Sequence, residues 1–172
     1  MRDREVRLVT LTGAGGVGKT RLAVAAAQQL RPDFSDGLCF VALASLSEPE
    51  LVAATIAQAA GLRELDDRPL VDVLAEFFRE KQLLLVLDNF EQVAAAAGQV
   101  ADLLAVCPQL KALVTSRERL RVRGEREVPL HPLLLPQRHP PPSLEALTQY
   151  EAVRLFIERA RQAAPDFAID NA

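Results

Sequence analysis

The sequence predicts an α/β fold: a mostly parallel sheet covered by helices on both faces. Three observations predict it. Short β-rich runs alternate with longer helical patterns along the chain, which calls for crossover connections of the right-handed kind that join parallel strands. The strand candidates are continuous apolar runs, not alternating ones, as burial on both faces requires. The first strand leads straight into a glycine-rich turn that opens a helix. With 172 residues the chain fits one domain and can bury most of its surface around a core.

Each element follows from its residues. "VRLVTLT" (Val6–Thr12) is the first strand, and "KTRLAVAAAQQL" (Lys19–Leu30), rich in Ala and Leu, is the first helix. Leu38–Leu43 is the second strand. "EPELVAATIAQAAG" is a helix with Pro49 in its first turn and Gly61 as its stop, and Pro69–Lys81 is another. Leu83–Asp88 makes the third strand. The run "VAAAAGQVADLLAV" (Val93–Val106) makes the next helix, ended by Pro108. "LKALVTS" (Leu110–Ser116) is a fourth strand and "REVPL" (Arg126–Leu130) a short fifth. Beyond it, His131–Ser143 holds five prolines and reads as an extended connector. "LEALTQYEAVRLFIERARQAA" (Leu144–Ala164) reads as one amphipathic helix with Ser143 as its N-cap. "PDFAIDNA" then trails off without a helix stop or strand end, so the chain is expected to continue. There is no internal repeat.

Composition narrows the function. A net charge of -3 and a pI near 5.5 lack the basic footprint of a free-standing nucleic-acid binder. Cys39 and Cys107 form no CxxC pair and read as small core residues of a protein in a reducing cytosol. His131 and His139 lie among prolines with no partner at metal-ligand spacing and read as loop residues. The charged start "MRDREVR" is no signal peptide. No apolar run approaches the ~20 residues that span a bilayer. The expectation is a cytoplasmic protein with no membrane partner.

The chemistry is concentrated in "GAGGVGKT", Gly13–Thr20, which fits the Walker A pattern G-x-x-x-x-G-K-[ST] in the strand–loop–helix context that gives the pattern its meaning. Its four glycines let successive backbone N–H groups turn inward on a phosphate. The helix opening near Gly18 adds its positive dipole end. Lys19 supplies a mobile charge for the β- and γ-phosphates, and the Thr20 hydroxyl is a ligand for Mg²⁺. The nucleotide-binding set is Gly13, Ala14, Gly15, Gly16, Val17, Gly18, Lys19, Thr20 and Arg21. Asp88 ends an apolar strand where a carboxylate that holds Mg²⁺ belongs. Lys19 and Asp88 are 69 positions apart (88 − 19), and the later polar-tipped strand ending "VTSRER" suggests an inserted strand between theirs. Arg117 at that tip is placed to reach a γ-phosphate. A solvated mixed-charge loop is the competing reading, since Glu118, Glu125 and Glu127 interleave Arg119, Arg121 and Arg123.

Taken together, "VRLVTLTGAGGVGKTRLA", "LLLVLDNFEQV", "LVTSRERLRVRGE" and "EAVRLFIERARQAAPDF" resemble the NB-ARC-type ATPase domain of bacterial transcriptional regulators. These are signal-transduction ATPases with numerous domains. The resemblance covers nearly the whole chain in order. It implies a three-layer P-loop NTPase with a five-stranded, mainly parallel sheet of order 5-1-4-3-2, the Walker A strand lying between strands 4 and 5. It implies ATP or ADP as ligand, Mg²⁺ held by Thr20 and Asp88, and Arg117 as γ-phosphate sensor. Residues 1–131 would be the nucleotide-binding domain, 132–142 the connector, and 143–172 the start of a further helical region. Winged-helix and repeat domains, and segments that enclose the adenine, belong to such proteins outside this stretch. DNA binding is not assigned to it, and a nucleotide-dependent oligomer is expected of the full-length protein.

Many relatives outside the bacterial branch carry Asp where this chain has Asn89. An amide orients a water but cannot take its proton. Glu91 is the nearest carboxylate and the candidate base, although a Glu in a first helical turn also simply suits the dipole. The catalytic candidates are therefore Lys19, Asp88, Glu91 and Arg117. The expected function is the nucleotide-binding core of a regulatory switch, at most a slow ATPase. A nucleotide-binding scaffold without turnover and a generic P-loop ATPase or kinase are the alternatives.

Overall fold

The structure is a computed structural model that describes residues 1, 3, 5–62, 68–136, 143–164 and 166–168. It resolves into two compact units, Met1–Leu130 and His131–Ala172.

The first unit carries one five-stranded sheet of β1 (Leu8–Thr12), β2 (Leu38–Ala42), β3 (Leu84–Asp88), β4 (Lys111–Ser116) and β5 (Glu125–Pro129), in the order β2-β3-β4-β1-β5. All four pairings are parallel. This is the expected order read from the opposite edge, with β4 inserted between the strand that feeds the glycine loop and the strand that ends at Asp88. Among the described residues the α-helices of this unit are α1 (Lys19–Leu30), α2 (Leu51–Ala59), α3 (Leu70–Phe78) and α4 (Ala97–Val106).

The alternation of each strand divides the core in two. Val9, Leu11, Leu84, Val86 and Leu113 pack with Ala23 and Ala27 of α1 on one face. Leu8, Val41, Leu85, Leu87, Ala112 and Val114 pack with α2, α3 and α4 on the other. Small α1 residues let that helix approach the strands closely, and β1, β3 and nearly all of β4 are buried throughout, as a doubly covered sheet demands. β5 is an edge strand and mostly exposed, so Pro129, which has no N–H for a ladder, is tolerated at its end.

Gly61 ends α2 as expected. It takes the left-handed conformation (φ 81°), and Gly61 N and Leu62 N donate to the Gln58 and Ala57 carbonyls at 3.1 and 3.0 Å. That is the Schellman closure, which glycine makes without strain. Two expected helices differ from the structure. The run after β3 begins as a 3-10 helix, Phe90–Ala96, and becomes α-helical only at Ala97, with a kink at Val93 (φ -130°, ψ 35°). Composition alone does not show this, because the five residues Val93–Ala97 are all good apolar fillers; the start is dictated by how the chain leaves Asp88. Pro49 precedes α2 in a turn and is not inside it, Leu51 N and Val52 N donating back to the Glu48 and Pro49 carbonyls.

In the second unit the single expected helix is two: α5 (Leu144–Leu147) and α6 (Glu151–Ala163). Ser143 does cap the first, its Oγ accepting from Ala146 N at 3.3 Å. The break follows from Tyr150, whose extended backbone (φ -75°, ψ 131°) makes it the N-cap of α6, while Thr148 Oγ1 bonds back to the Glu145 carbonyl at 2.7 Å. A hydroxyl that competes for a helical carbonyl weakens continuation of a short helix. His139, the run Pro140–Pro142 and the last four residues lie outside the described residues.

Candidate functional site

The site is built where β1 stops and α1 begins. Gly13 leaves β1 with φ 146°, and a Cβ placed on it would lie 2.6 Å from the Leu130 carbonyl oxygen. Only glycine fits that approach. Gly16 (φ 77°) and Gly18 (φ 98°) are left-handed, and Gly18 is the N-cap of α1. The loop is thereby folded over the helix end, with Ala14, Gly15, Gly16 and Gly18 exposed and Val17 half-buried. Arg21 is exposed one residue beyond Thr20.

Lys19, the first residue of α1, is only 8% exposed. Its Nζ donates to the Gly13 and Ala14 carbonyls at 2.8 and 3.0 Å. Those two acceptors offset part of the cost of desolvating an ammonium and hold the charge inside the loop. Thr20 Oγ1 donates to Asp88 Oδ1 at 2.8 Å, linking α1 to the tip of β3. Asp88 is 6% exposed, and its Oδ1 also accepts from Thr115 Oγ1 at 2.5 Å. The same Thr115 oxygen accepts from Asn89 N at 3.0 Å. Lys19, Thr20 and Asp88, one constellation by sequence, are thus brought together in space. Thr115 is a member that sequence reasoning missed. Its one available signal is a hydroxyl between apolar residues at a strand tip, in "ALVTS".

Hard oxygen donors from Thr20 and Asp88 suit Mg²⁺, which keeps several waters and takes phosphate oxygens besides one or two protein ligands. Among the described residues no group of three or more His, Cys, Asp and Glu could enclose a metal. The protein's share would be these two oxygens.

Asn89 adopts a left-handed conformation (φ 61°, ψ 43°) that Asn accepts more readily than most residues. It turns the chain from β3 into the 3-10 helix that carries Glu91. The structure pairs Glu91 with Arg117 at the tip of β4: Arg117 Nε lies 3.5 Å from Glu91 Oε1, the Arg117 and Glu91 side chains being 65% and 14% exposed. Glu91 Oε2 is buried and has no hydrogen-bond partner. Arg119, Arg121 and Arg123 are exposed. The turn they occupy is organised by Glu125, whose carboxylate accepts from Leu120 N and Arg121 N at 2.7 and 2.8 Å. Glu127 on β5 is likewise taken up locally, accepting from Thr12 Oγ1 at 2.7 Å.

The remaining titratable candidates are structural in placement. Cys39 and Cys107 are free and buried, and burial raises both thiols, Cys107 against the lowering influence of Arg79 and Arg7. His131 is the first residue of the second unit.

A parallel sheet of this order, with a glycine loop between β1 and α1 and an Asp at the tip of β3 on the far side of β4, defines a P-loop ATPase domain. Residues 2–122 match the AAA domain family, and the chain belongs to it. Over 168 residues, 96% of this chain, it is 45% identical to a Mycobacterium tuberculosis protein whose name places it provisionally among HTH-type transcriptional regulators, and the match covers 17% of that protein. It is 38% identical over 118 residues to the regulatory protein AfsR of Streptomyces griseus, covering 64% of this chain and 12% of AfsR. The chain thus spans under a fifth of these relatives' length. Among solved structures, the Aeropyrum pernix ORC2 protein in its ADPNP-ADP complexes matches with a TM-score of 0.52 at 15% identity, over 71% of this chain and 41% of that one. A Drosophila ORC structure with AT-rich DNA and Cdc6 matches at 0.54 and 17% identity, over 94% of this chain and 58% of that one. At these identities the structures establish the fold alone. Among the described residues no helix is long and apolar enough to cross a membrane.

Proposed function

We propose that this chain is the ATP/ADP-binding core of an NB-ARC-type regulatory switch in a cytoplasmic transcriptional regulator, with slow Mg²⁺-dependent hydrolysis coupled to conformational signalling. One observation carries the reading: Lys19, Thr20 and Asp88 converge from β1–α1 and β3, Thr20 Oγ1 and Asp88 Oδ1 lying 2.8 Å apart.

In this reading the loop from Gly13 to Arg21 receives the phosphates on its backbone N–H groups. Lys19 exchanges the Gly13 and Ala14 carbonyls for β- and γ-phosphate oxygens. Thr20 and Asp88 hold Mg²⁺, which when bound polarises those oxygens as a Lewis acid. Arg117 senses the γ-phosphate. Asn89 orients water without accepting its proton, and Glu91 is the candidate carboxylate to take it. A site with no dedicated base beside Asp88 turns over slowly. The regulator-like relatives, several times longer than this chain, support a switch whose output lies in other domains. We assign residues 1–131 to the nucleotide-binding domain, 132–142 to a connector and 143–172 to the start of a helical region that leads to winged-helix and repeat domains. Assembly in response to nucleotide belongs to the full-length protein.

The test has two parts. Lys19→Ala removes a charge-assisted contact of roughly 1.5–3 kcal/mol, about tenfold to over a hundredfold in affinity, read by titrating a fluorescent ATP analogue. Single-turnover hydrolysis of radiolabelled ATP should run below about 10⁻² s⁻¹, the range of intrinsic switch proteins. Equal affinity of Lys19→Ala and wild type would remove the loop from phosphate binding. Turnover near 10 s⁻¹, typical of ordinary enzymes, would sink the switch.

A further inference from the structure

On the reading that Arg117 meets the γ-phosphate, we propose that Glu91 is a positioning residue: it captures Arg117 when no γ-phosphate is present, and so sets how strongly the site prefers a triphosphate to a diphosphate.

The pairing is a consequence of how two strand tips are joined. Asn89 N bonds to Thr115 Oγ1, which fastens the end of β3 to the end of β4. Glu91 and Arg117 each lie two residues beyond that fastening (91 − 89 and 117 − 115), and the left-handed turn at Asn89 brings the carboxylate across to the guanidinium. The partners differ in freedom. Glu91 is 14% exposed and fixed in the first turn of the 3-10 helix, whereas Arg117 is 65% exposed and can leave. Their 3.5 Å separation is an ion pair without a hydrogen bond.

Among the described residues Glu91 Oε2 is buried and has no hydrogen-bond partner. Buried polar oxygens are satisfied in the great majority of cases, and an exception asks for a reason. A carboxylate kept half-satisfied beside an exposed arginine is a weak holder. A γ-phosphate offers three acceptor oxygens and greater charge, and an arginine–phosphate fork makes shorter, charge-assisted hydrogen bonds. ATP therefore takes Arg117 from Glu91, and ADP leaves the pair intact. Part of the γ-phosphate's attraction goes into breaking the pair, which lowers the preference for ATP. The same exchange frees Glu91 only when a γ-phosphate is present to be hydrolysed.

The experiment is calorimetry of the full chain with Mg²⁺ and either ATP or ADP. Glu91→Gln should bind ADP as wild type does and ATP more tightly, by up to about fivefold, the range of partly exposed ion pairs. Its residual hydrolysis should fall, giving a split between binding and turnover that a merely structural role would not produce. Arg117→Ala, an exposed position, should lose the preference for ATP, and Glu91→Gln added to it should change neither nucleotide. An equal shift for ATP and ADP in Glu91→Gln, or an effect that survives in the Arg117→Ala background, would overturn the proposal. Lys19→Ala separates the levels. If it weakens both nucleotides while Glu91→Gln leaves the ATP to ADP ratio unaltered, the restraint is wrong and the phosphate site stands. If Lys19→Ala binds like wild type, both fall.

Discussion

Thr115→Val removes a hydroxyl and keeps the side chain's shape, so it tests what holds Asp88 in place. Thr115 is 0% exposed, and its oxygen makes two bonds: it donates to Asp88 Oδ1 at 2.5 Å and accepts from Asn89 N at 3.0 Å. A hydrogen bond to a charged group contributes about 1.5–3 kcal/mol and a neutral one about 0.5–1.5 kcal/mol. The loss should thus come to about 2–4.5 kcal/mol, because water cannot readily replace either bond in a buried site. For a chain of this size each kcal/mol moves the melting temperature by about 2–4 °C, so a fall of roughly 4–18 °C is expected. Circular dichroism melts of wild type, Thr115→Val and Thr115→Ser would measure it, with the serine keeping the hydroxyl and most of the stability. The second readout is Mg²⁺: with one of its two hydroxyl partners gone, Asp88 is less firmly aimed, and the Mg²⁺ dependence of ATP binding should shift to higher concentration in valine but not in serine. A valine variant within about 0.5 kcal/mol of wild type, the scatter of an inconsequential surface change, would refute the argument that Thr115 fixes the carboxylate.

Three further outcomes are expected. Gly13→Ala should destabilise the chain by about 1–3 kcal/mol in urea titrations, because its Cβ meets the Leu130 oxygen at 2.6 Å, whereas Gly15→Ala, with nothing within 4 Å, should leave stability unaltered; equal effects would contradict the crowding at Gly13. Asn89→Asp keeps a residue tolerant of the left-handed turn and should raise residual hydrolysis in single-turnover assays, while an unaltered rate would show that a carboxylate at this position does not activate water. Burial raises the thiols of Cys39 and Cys107, so at pH about 8 both stay protonated and should react with a disulfide reagent only as fast as the chain opens; rapid labelling of the folded protein would contradict their placement in the core.

The parts of the fold legible in the sequence are those with a strong local cause. The continuous apolar runs of β1, β3 and β4 announce burial on both faces, and Gly13–Thr20 announces a loop whose φ angles only glycine tolerates. The sheet order is legible through the separation of Lys19 and Asp88 together with the family resemblance. What is not legible depends on partners distant in sequence. Thr115 looks like any strand threonine until Asp88, 27 positions earlier, is placed beside it. The 3-10 start at Phe90 is set by Asn89's turn, and the alanine-rich residues after it are compatible with either helix. The break at Tyr150 arises from competition between a threonine hydroxyl and the helix ladder, a contest that the amphipathic pattern of Glu151–Ala163 obscures.

The strand order also explains why one hydroxyl carries so much. β4 is laddered to β1 as far as Ser116, which pairs with Thr12. Its ladder with β3 ends earlier, at the Leu87–Val114 pair. At the tips, therefore, β4 is tied to β1 by backbone pairing, and the tie to β3 passes through the side chain of Thr115. Arg117 lies two residues beyond that hydroxyl, which bonds directly to Asp88 Oδ1 and to Asn89 N. A backbone ladder at the same point would have made the two tips one rigid edge. Here a side-chain link joins the two tips, with the 3.5 Å Glu91–Arg117 pair beyond it, and the same Asp88 carboxylate that Thr115 holds also accepts from Thr20.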